Sequence, residues 1–305
     1  MDIYISGSLA LDRIMNFDGD FADHIVPDKL HSINLSFTTV GLSEKFGGTA
    51  GNISYGLSLL DEHPSILATI GHDYTNYFSW LQQHSLSTET IKIIDNAPTA
   101  SAYITTDREK NQITSFNPGS MNFPSSFNLG LVNPLNSIMI ISAGNITDMR
   151  EYPAVCKTNK IEYIFDPGQS IPMWDNEELM EVIDGAKLLI ANDYEMSLIM
   201  RKTGLTTVNL LELAPILITT KGENGSVITT SSGETEIPAI APNIVIDPTG
   251  AGDAYRSGMV KGLTQGLDIS DCAIMGSVCA SFAVENYGPQ EYTFSMDEFN
   301  QRLPL

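Results

Sequence analysis

Twelve residues near the end of the chain, Asp247-Pro248-Thr249-Gly250-Ala251-Gly252-Asp253-Ala254-Tyr255-Arg256-Ser257-Gly258, combine a glycine-rich turn with the start of an apolar-periodic helix. Backbone amides of Gly250, Ala251, Gly252 and Asp253 can converge there on one point at a helix N-terminus, which makes an anion site. Small residues suit it, because a phosphate oxygen has to come within hydrogen-bond distance of the main chain. Asp253 stands where a carboxylate could take the proton of an attacking hydroxyl while the amides hold a transferring phosphoryl group. That chemistry is mostly positioning and charge stabilisation, so a weakly basic carboxylate suffices. An acid in the first turn also serves the helix dipole alone.

Stepping outward, the elements that must carry this turn alternate. Short apolar runs bounded by turn residues read as buried strands: Ile3–Ile5, Ile66–Ile70, Ile138–Ile141, Tyr163–Phe165, Leu188–Ile190 and Ile216–Thr219. Between them lie helical patterns, with Ile53, Leu57 and Leu60 on one face and Met196, Leu198 and Ile199 in another helix. Ala251 to Leu263 and Ile269 to Val284 close the series. Strand–helix alternation predicts an α/β fold, a doubly wound parallel sheet with helices on both faces that binds ligands at the strands' carboxyl ends. Segments 13–46 and 98–117 break the rhythm and are β-rich, which predicts a small β lid on a single domain spanning residues 1–305.

The twelve-residue motif resembles the second conserved motif of the ribokinase-like (PfkB) family of sugar and nucleoside kinases. Gly47-Gly48-Thr49-Ala50-Gly51-Asn52 resembles that family's first motif, and Gly7-Ser8-Leu9-Ala10-Leu11-Asp12 its first strand and substrate-binding aspartate. Asn192-Asp193-Tyr194-Glu195 and Thr220-Lys221-Gly222-Glu223-Asn224-Gly225 are similar to its N-x-x-E and nucleotide-binding segments. The resemblance spans about residues 2 to 290 and implies a ribokinase-like α/β/α sandwich with ATP-dependent phosphotransfer to an alcohol. It further implies Asp253 as base, Gly250, Ala251 and Gly252 as anion hole, and Asp12, Gly48 and Asn52 on the acceptor's hydroxyls. Asn192 and Glu195 are implied near Mg²⁺, and Asn192, Thr220, Lys221, Gly222 and Gly225 at ATP. Some members are activated by K⁺, and Asp247 and Thr249 stand where carbonyls could bind one. On residues alone Asn192 also reads as a helix cap, Lys221 as a solvated charge, and Arg256 as a residue within reach of a phosphate or an acid.

Asn111 to Met121 and Asp166-Pro167-Gly168-Gln169 resemble the adenosine-kinase-like nucleoside kinases more than ribokinase, and Phe116, Met121 and Phe123 could form an apolar slot for a base. Segments 1–12 and 41–56 hold only Lys45 as a basic residue, which favours an uncharged acceptor. The expected acceptor is the 5′-hydroxyl of a nucleoside; a free sugar such as ribose or fructose is the alternative, and a catalytically silent binding protein a further one. Neither G-x-G-x-x-G after the first strand nor a P-loop is present in the sequence.

With 305 residues, 42% of them hydrophobic, the chain can bury a large core. A formal charge of −21 disfavours nucleic acid and anionic lipid as partners; the partners the resemblance implies are ATP and a small nucleoside or sugar. Cys156, Cys272 and Cys279 show no C-x-x-C spacing and read as buried thiols. No stretch has the length of a membrane span, so a cytoplasmic protein is expected; monomer and homodimer both remain open.

Overall fold

Strands whose successive side chains feed two different cores dominate the chain. In the computed structural model, which describes residues 1–24, 36–109 and 111–304, the chain runs β1 (Asp2–Ser6), β2 (Ala10–Phe17), β3 (Thr39–Gly47), α1 (Thr49–Leu59), β4 (Ser65–Leu67), β5 (Thr69–Gly71), α2 (Thr75–Gln83), β6 (Lys92–Ile94), β7 (Ala100–Thr106) and β8 (Gln112–Asn117). It continues through β9 (Ser137–Ser142), α3 (Ile146–Asn159), β10 (Glu162–Asp166), α4 (Asn176–Ile183), β11 (Leu188–Asn192), α5 (Asp193–Thr203), α6 (Thr207–Leu213) and β12 (Leu217–Thr220). It ends with β13 (Ser226–Thr230), β14 (Gly233–Ile237), α7 (Ala251–Thr264), α8 (Ile269–Ala283) and α9 (Met296–Arg302).

The main sheet has the order β4-β1-β9-β10-β11-β12-β13-β14. Its first six strands are parallel, and β13 and β14 add an antiparallel edge. Ile138 and Ile140 of β9 face a core with Ile53, Leu57, Tyr255 and Met259 of α1 and α7, whereas Met139 and Ile141 face Met149, Tyr152 and Ile199 of α3 and α5. Burial on both faces is why these strands read as unbroken apolar runs. The strand order reverses at β1, whose neighbours are β4 and β9, so the crevice at the carboxyl ends of β1 and β9 is the topological switch point.

Two expectations need correction, and one hairpin was not read from the sequence at all. The run Ile66–Ile70 is two strands: β4 joins the main sheet, and β5 pairs with β6 in a separate two-stranded sheet. Both pieces are fully buried, so no change of pattern marks the break at Ala68. The edge hairpin β13–β14 has no apolar signature in its second strand, where Gly233 to Glu236 are exposed. Asp12 lies not at the end of the first strand but inside β2, which belongs to a second, four-stranded sheet of order β3-β2-β7-β8. That sheet takes residues from segments 13–46 and 98–117 and extends past both the start and the end of the first; residues 25–35 of that segment lie outside the described residues.

Helices α7 and α8 pack closely enough that a Cβ on Gly258 would lie 2.3 Å from the Met275 carbonyl oxygen. Cys156, Cys272 and Cys279 are free and buried. No helix among the described residues is long and apolar enough to cross a membrane.

Candidate active site

Gly250 is the N-cap of α7 and has φ +80°, a left-handed conformation that a side chain would strain. A Cβ there would also lie 2.5 Å from Pro289 Cβ. Ala251 N–H donates within the turn to Pro248 O at 3.2 Å, and Ala254 N–H donates to Gly250 O at 2.9 Å. The amides of Gly252 and Asp253 have no backbone acceptor, as the geometry of a first helical turn dictates. Of the four candidate anion-binding amides only that of Ala251 is spent on the turn itself; those of Gly250, Gly252 and Asp253 have no backbone acceptor.

Asp253 is partly buried on that turn. Its Oδ2 accepts a 2.7 Å hydrogen bond from Asn52 Nδ2 of α1. The two helices meet because Ser257 Oγ donates to Ile53 O at 2.9 Å and Lys261 pairs with Glu62 at 2.7 Å. The start of α1 is tied to the switch point in turn. Thr49 Oγ1 donates to Ala143 O after β9 at 2.7 Å, and Ser8 O after β1 accepts from Ala50 N at 3.0 Å. Gly48 caps α1 with φ +89°, and a Cβ on it would lie 2.5 Å from Ser8 O.

Burial raises the Asp253 carboxyl to about 6; Arg256 and the Asn52 N–H oppose that rise, and Asp166 and Glu195 add to it. Arg256 does not reach toward a phosphate. Its guanidinium forms a bidentate pair with Asp166 at the end of β10, with distances of 2.5 and 2.6 Å, and Nη1 donates to Gly252 O at 2.9 Å. With Arg256 6% and Asp166 3% exposed, this is a buried ion pair under the glycine turn. Of the two partners open on sequence grounds, the acid is the one found.

Asp12 is half-buried in β2, where burial and the nearby Asp247 carboxylate raise it to about 6. Its Oδ2 lies so near Gly47 that a Cβ there would sit 2.9 Å away. In the sheet register Asp12 is opposite Lys45 of β3 and Ala102 of β7, and Ala102 is opposite Phe116 of β8. Opposed residues share a face, so Phe116, half-exposed, stands on the Asp12 face. Lys45 on that face pairs with Glu291 at 2.9 Å. Met121 and Phe123 follow β8, with Phe123 exposed and Met121 half-buried.

Along the carboxyl edge, Asn192 ends β11 and caps α5. Its Oδ1 accepts from Glu195 N at 2.7 Å, while Glu195 Oε2 accepts from Asn192 N at 2.9 Å. Burial raises the Glu195 carboxyl, and Asp166 adds to the rise. Thr220 ends β12 and pairs with Asn192 and with Ser226 across the sheet. Lys221, Gly222 and Gly225 form the following turn, closed by Lys221 N–H to Gly225 O at 2.7 Å. The Lys221 side chain is exposed and lines a shallow groove of about 180 Å³ with Met196, Met200 and Glu234 on the α5 side.

A family model described as pfkB family carbohydrate kinase matches residues 18–294. The chain belongs to the pfkB family. It is 31% identical to a nucleoside kinase of Methanocaldococcus jannaschii over 97% of this chain and 95% of that one. The ligand-free nucleoside kinase of Burkholderia thailandensis superposes with a TM-score of 0.88 at 35% identity, covering 99% of this chain and 100% of that one. The same enzyme in complex with ADP-inosine gives 0.85 at 35% identity, covering 99% and 94%. In this pfkB-family chain, sequence reasoning singled out Asp253 and Asn52 separately. It missed the ion-pair role of Asp166 and the whole of Gln290, which donates to Asn52 Oδ1 at 2.9 Å. Neither carries a local signal, because each acts on a partner far away in sequence.

Proposed function

We propose that this chain is an ATP-dependent kinase that transfers the γ-phosphoryl group to the 5′-hydroxyl of a ribonucleoside such as inosine or adenosine. The observation that carries the reading is the juxtaposition of Asp253, ionisable near neutrality and held by Asn52, with the open Gly252 and Asp253 amides at the N-terminus of α7. Kinship with nucleoside kinases along the whole chain supports the acceptor class. The half-exposed Phe116 on the Asp12 face supports it independently, since a base has a π-face to stack and a free sugar has none.

In this mechanism Asp253 accepts the proton of the attacking hydroxyl while the Gly252 and Asp253 amides take the charge that develops on the phosphoryl oxygens. Asp12, with an ionised carboxylate, accepts one hydrogen bond from each of two neighbouring ribose hydroxyls. Gly48 and Asn52 complete the acceptor side; Thr220, Gly222 and Gly225 line the nucleotide side. Mg²⁺ is usually held by one or two carboxylates, water and substrate phosphates rather than an all-protein cage. The oxygen donors where β11 ends and α5 begins, the Glu195 carboxylate and the Asn192 amide, fit that mode. Glu195 would hold Mg²⁺ through water with Asn192 beside it, and the ion would supply charge neutralisation across the phosphates. A K⁺ ion would be held by the carbonyls of Asp247 and Thr249, in a turn whose Asp247 carboxylate accepts from Thr249 N at 3.0 Å and Gly288 N at 3.1 Å.

The test is ADP formation with a panel of ribonucleosides, 2′-deoxyribonucleosides, ribose and fructose. Ribonucleosides are expected to lead in kcat/KM, with the 2′-deoxy forms about 10- to 100-fold lower for the loss of one charge-assisted hydrogen bond. Ribose or fructose outperforming every nucleoside would replace the acceptor assignment with a sugar.

A further inference from the structure

Gln290 follows the turn after α8 and is 1% exposed. An indole N–H can only donate. Trp80 Nε1 of α2 donates to Gln290 Oε1 at 2.9 Å, which points the other end of the amide at Asn52 and Tyr77. Gln290 Nε2 donates to Asn52 Oδ1 at 2.9 Å and to Tyr77 Oη at 2.9 Å. Because Asn52's oxygen is occupied as an acceptor, its Nδ2 is left facing Asp253, to which it donates at 2.7 Å. Tyr77 passes its own hydroxyl proton to Gly47 O at 2.6 Å. Five hydrogen bonds thus run in one consistent direction, from a donor-only indole to two acceptor-only ends, the Asp253 carboxylate and the Gly47 carbonyl.

We propose that Gln290 is a positioning residue for phosphoryl transfer: anchored by Trp80, it holds the Asn52 amide with its N–H end toward Asp253 and, through Tyr77, fixes the Gly47 backbone beside Asp12. The proposal builds on the reading of Asp253 as the base. Without Gln290 the Asn52 amide is free to turn its oxygen toward Asp253, and two acceptors facing each other favour the protonated carboxyl. The groups around Asp253 are Arg256 on its own helix, Asn52 on α1, Asp166 at the end of β10 and Glu195 on α5. Tyr77 on α2 and Tyr292 after α8, both neutral and raised by burial, also feel its charge, and Asp12 on β2 shares the field at Tyr77. Only the Asn52 contact changes sign when Gln290 is lost.

The experiment compares wild type with Gln290→Met, Trp80→Phe, Asp253→Asn and the double variant Gln290→Met/Asp253→Asn, using inosine and ATP, with thermal melts confirming folded protein. Gln290→Met is expected to lower kcat about tenfold, the scale of a small misplacement of a reacting group, while KM for ATP changes less than about twofold. The acid limb of its kcat/KM profile should move up by about one pH unit, the value of one hydrogen bond to a charged group. Trp80→Phe should shift the limb in the same direction by less. Because Gln290 acts through Asp253, Gln290→Met should cost little more in the Asp253→Asn background. An unchanged acid limb, or a loss that adds in full to that of Asp253→Asn, overturns the proposal. If Gln290→Met does not fold, Trp80→Phe decides by the same two readouts. Asp253→Asn retaining more than about a third of wild-type kcat would instead remove the base assignment, a separate failure seen in a separate variant.

Discussion

Two groups hold the Asp253 carboxylate in its ionised form, Arg256 and Asn52, and they work against burial and two neighbouring acids. The free side chain titrates near 3.8 and the folded one near 6, so the native chain binds this proton more readily than the unfolded chain. Stability from this group is therefore greatest below pH 3.8, falls as pH rises to about 6, and stays low above that. Asp253→Asn removes a charge that costs the fold stability and that the proposed mechanism needs. It should lower kcat by about 10²- to 10⁴-fold while raising stability at pH 7.5 by on the order of 1–2 kcal/mol, with no gain near pH 4. Melts at the two pH values check it; a lower midpoint at pH 7.5 would mean that the carboxylate is structural. Asp12 is raised to about the same value, by burial and by Asp247. If the free enzyme needs both carboxylates ionised, log kcat/KM for the nucleoside should fall below about pH 5 with a slope approaching two, and Asp12→Asn should reduce the slope to one. A wild-type slope of one would leave only one of the two acids in the mechanism.

At the scale of elements, α7 carries the proposed base and is held by three different neighbours. Its Gly258 meets α8 backbone, its Ser257 bonds α1, and its Arg256 is locked to Asp166 at the end of β10. Removing one partner of such a buried pair leaves an uncompensated charge, so the pair fixes the turn's place without itself touching solvent. The helix begins at Gly250, where the left-handed backbone and Pro289 leave no room for a side chain. Gly250→Ala is expected to cost about 2–4 kcal/mol, the sum of left-handed strain and overpacking, and to lower kcat by displacing the Gly252 and Asp253 amides. Gly266→Ala is the control: φ is +73° there too, but nothing lies within 4 Å of the added carbon. It should cost about 1–2 kcal/mol and leave kcat as it is. Equal effects of the two on kcat would show that the Gly250 turn is not tied to the chemistry.

Across the whole molecule, the four-stranded sheet carries Asp12 while the main sheet and α7 carry Asp253, so the acceptor's two ends are held by different bodies of structure. Closure of the smaller sheet over bound acceptor would exclude water from the phosphoryl group. Amide hydrogen exchange in residues 10–17, 39–47, 100–106 and 112–117 should slow when inosine is added at saturation, and unchanged exchange would show a fixed platform rather than a lid. The strands were readable because β9, β10 and β11 are buried on both faces, and α7 because its glycines and apolar period are local. The break between β4 and β5 and the polar strand β14 escaped because burial and exposure there leave no change of pattern. Residue types near one another in sequence determined the glycine turn, its helix and the strand series, since backbone donors and hydrophobic period are properties of short segments. Only tertiary structure decided that Arg256 takes an acid 90 residues away rather than a phosphate, and that Asn52 donates to Asp253 across 201 residues under the direction of Gln290. The physical reason is that a side chain's type states what it can donate or accept, whereas its partner and the direction of the bond are set by which elements the sheet order brings together.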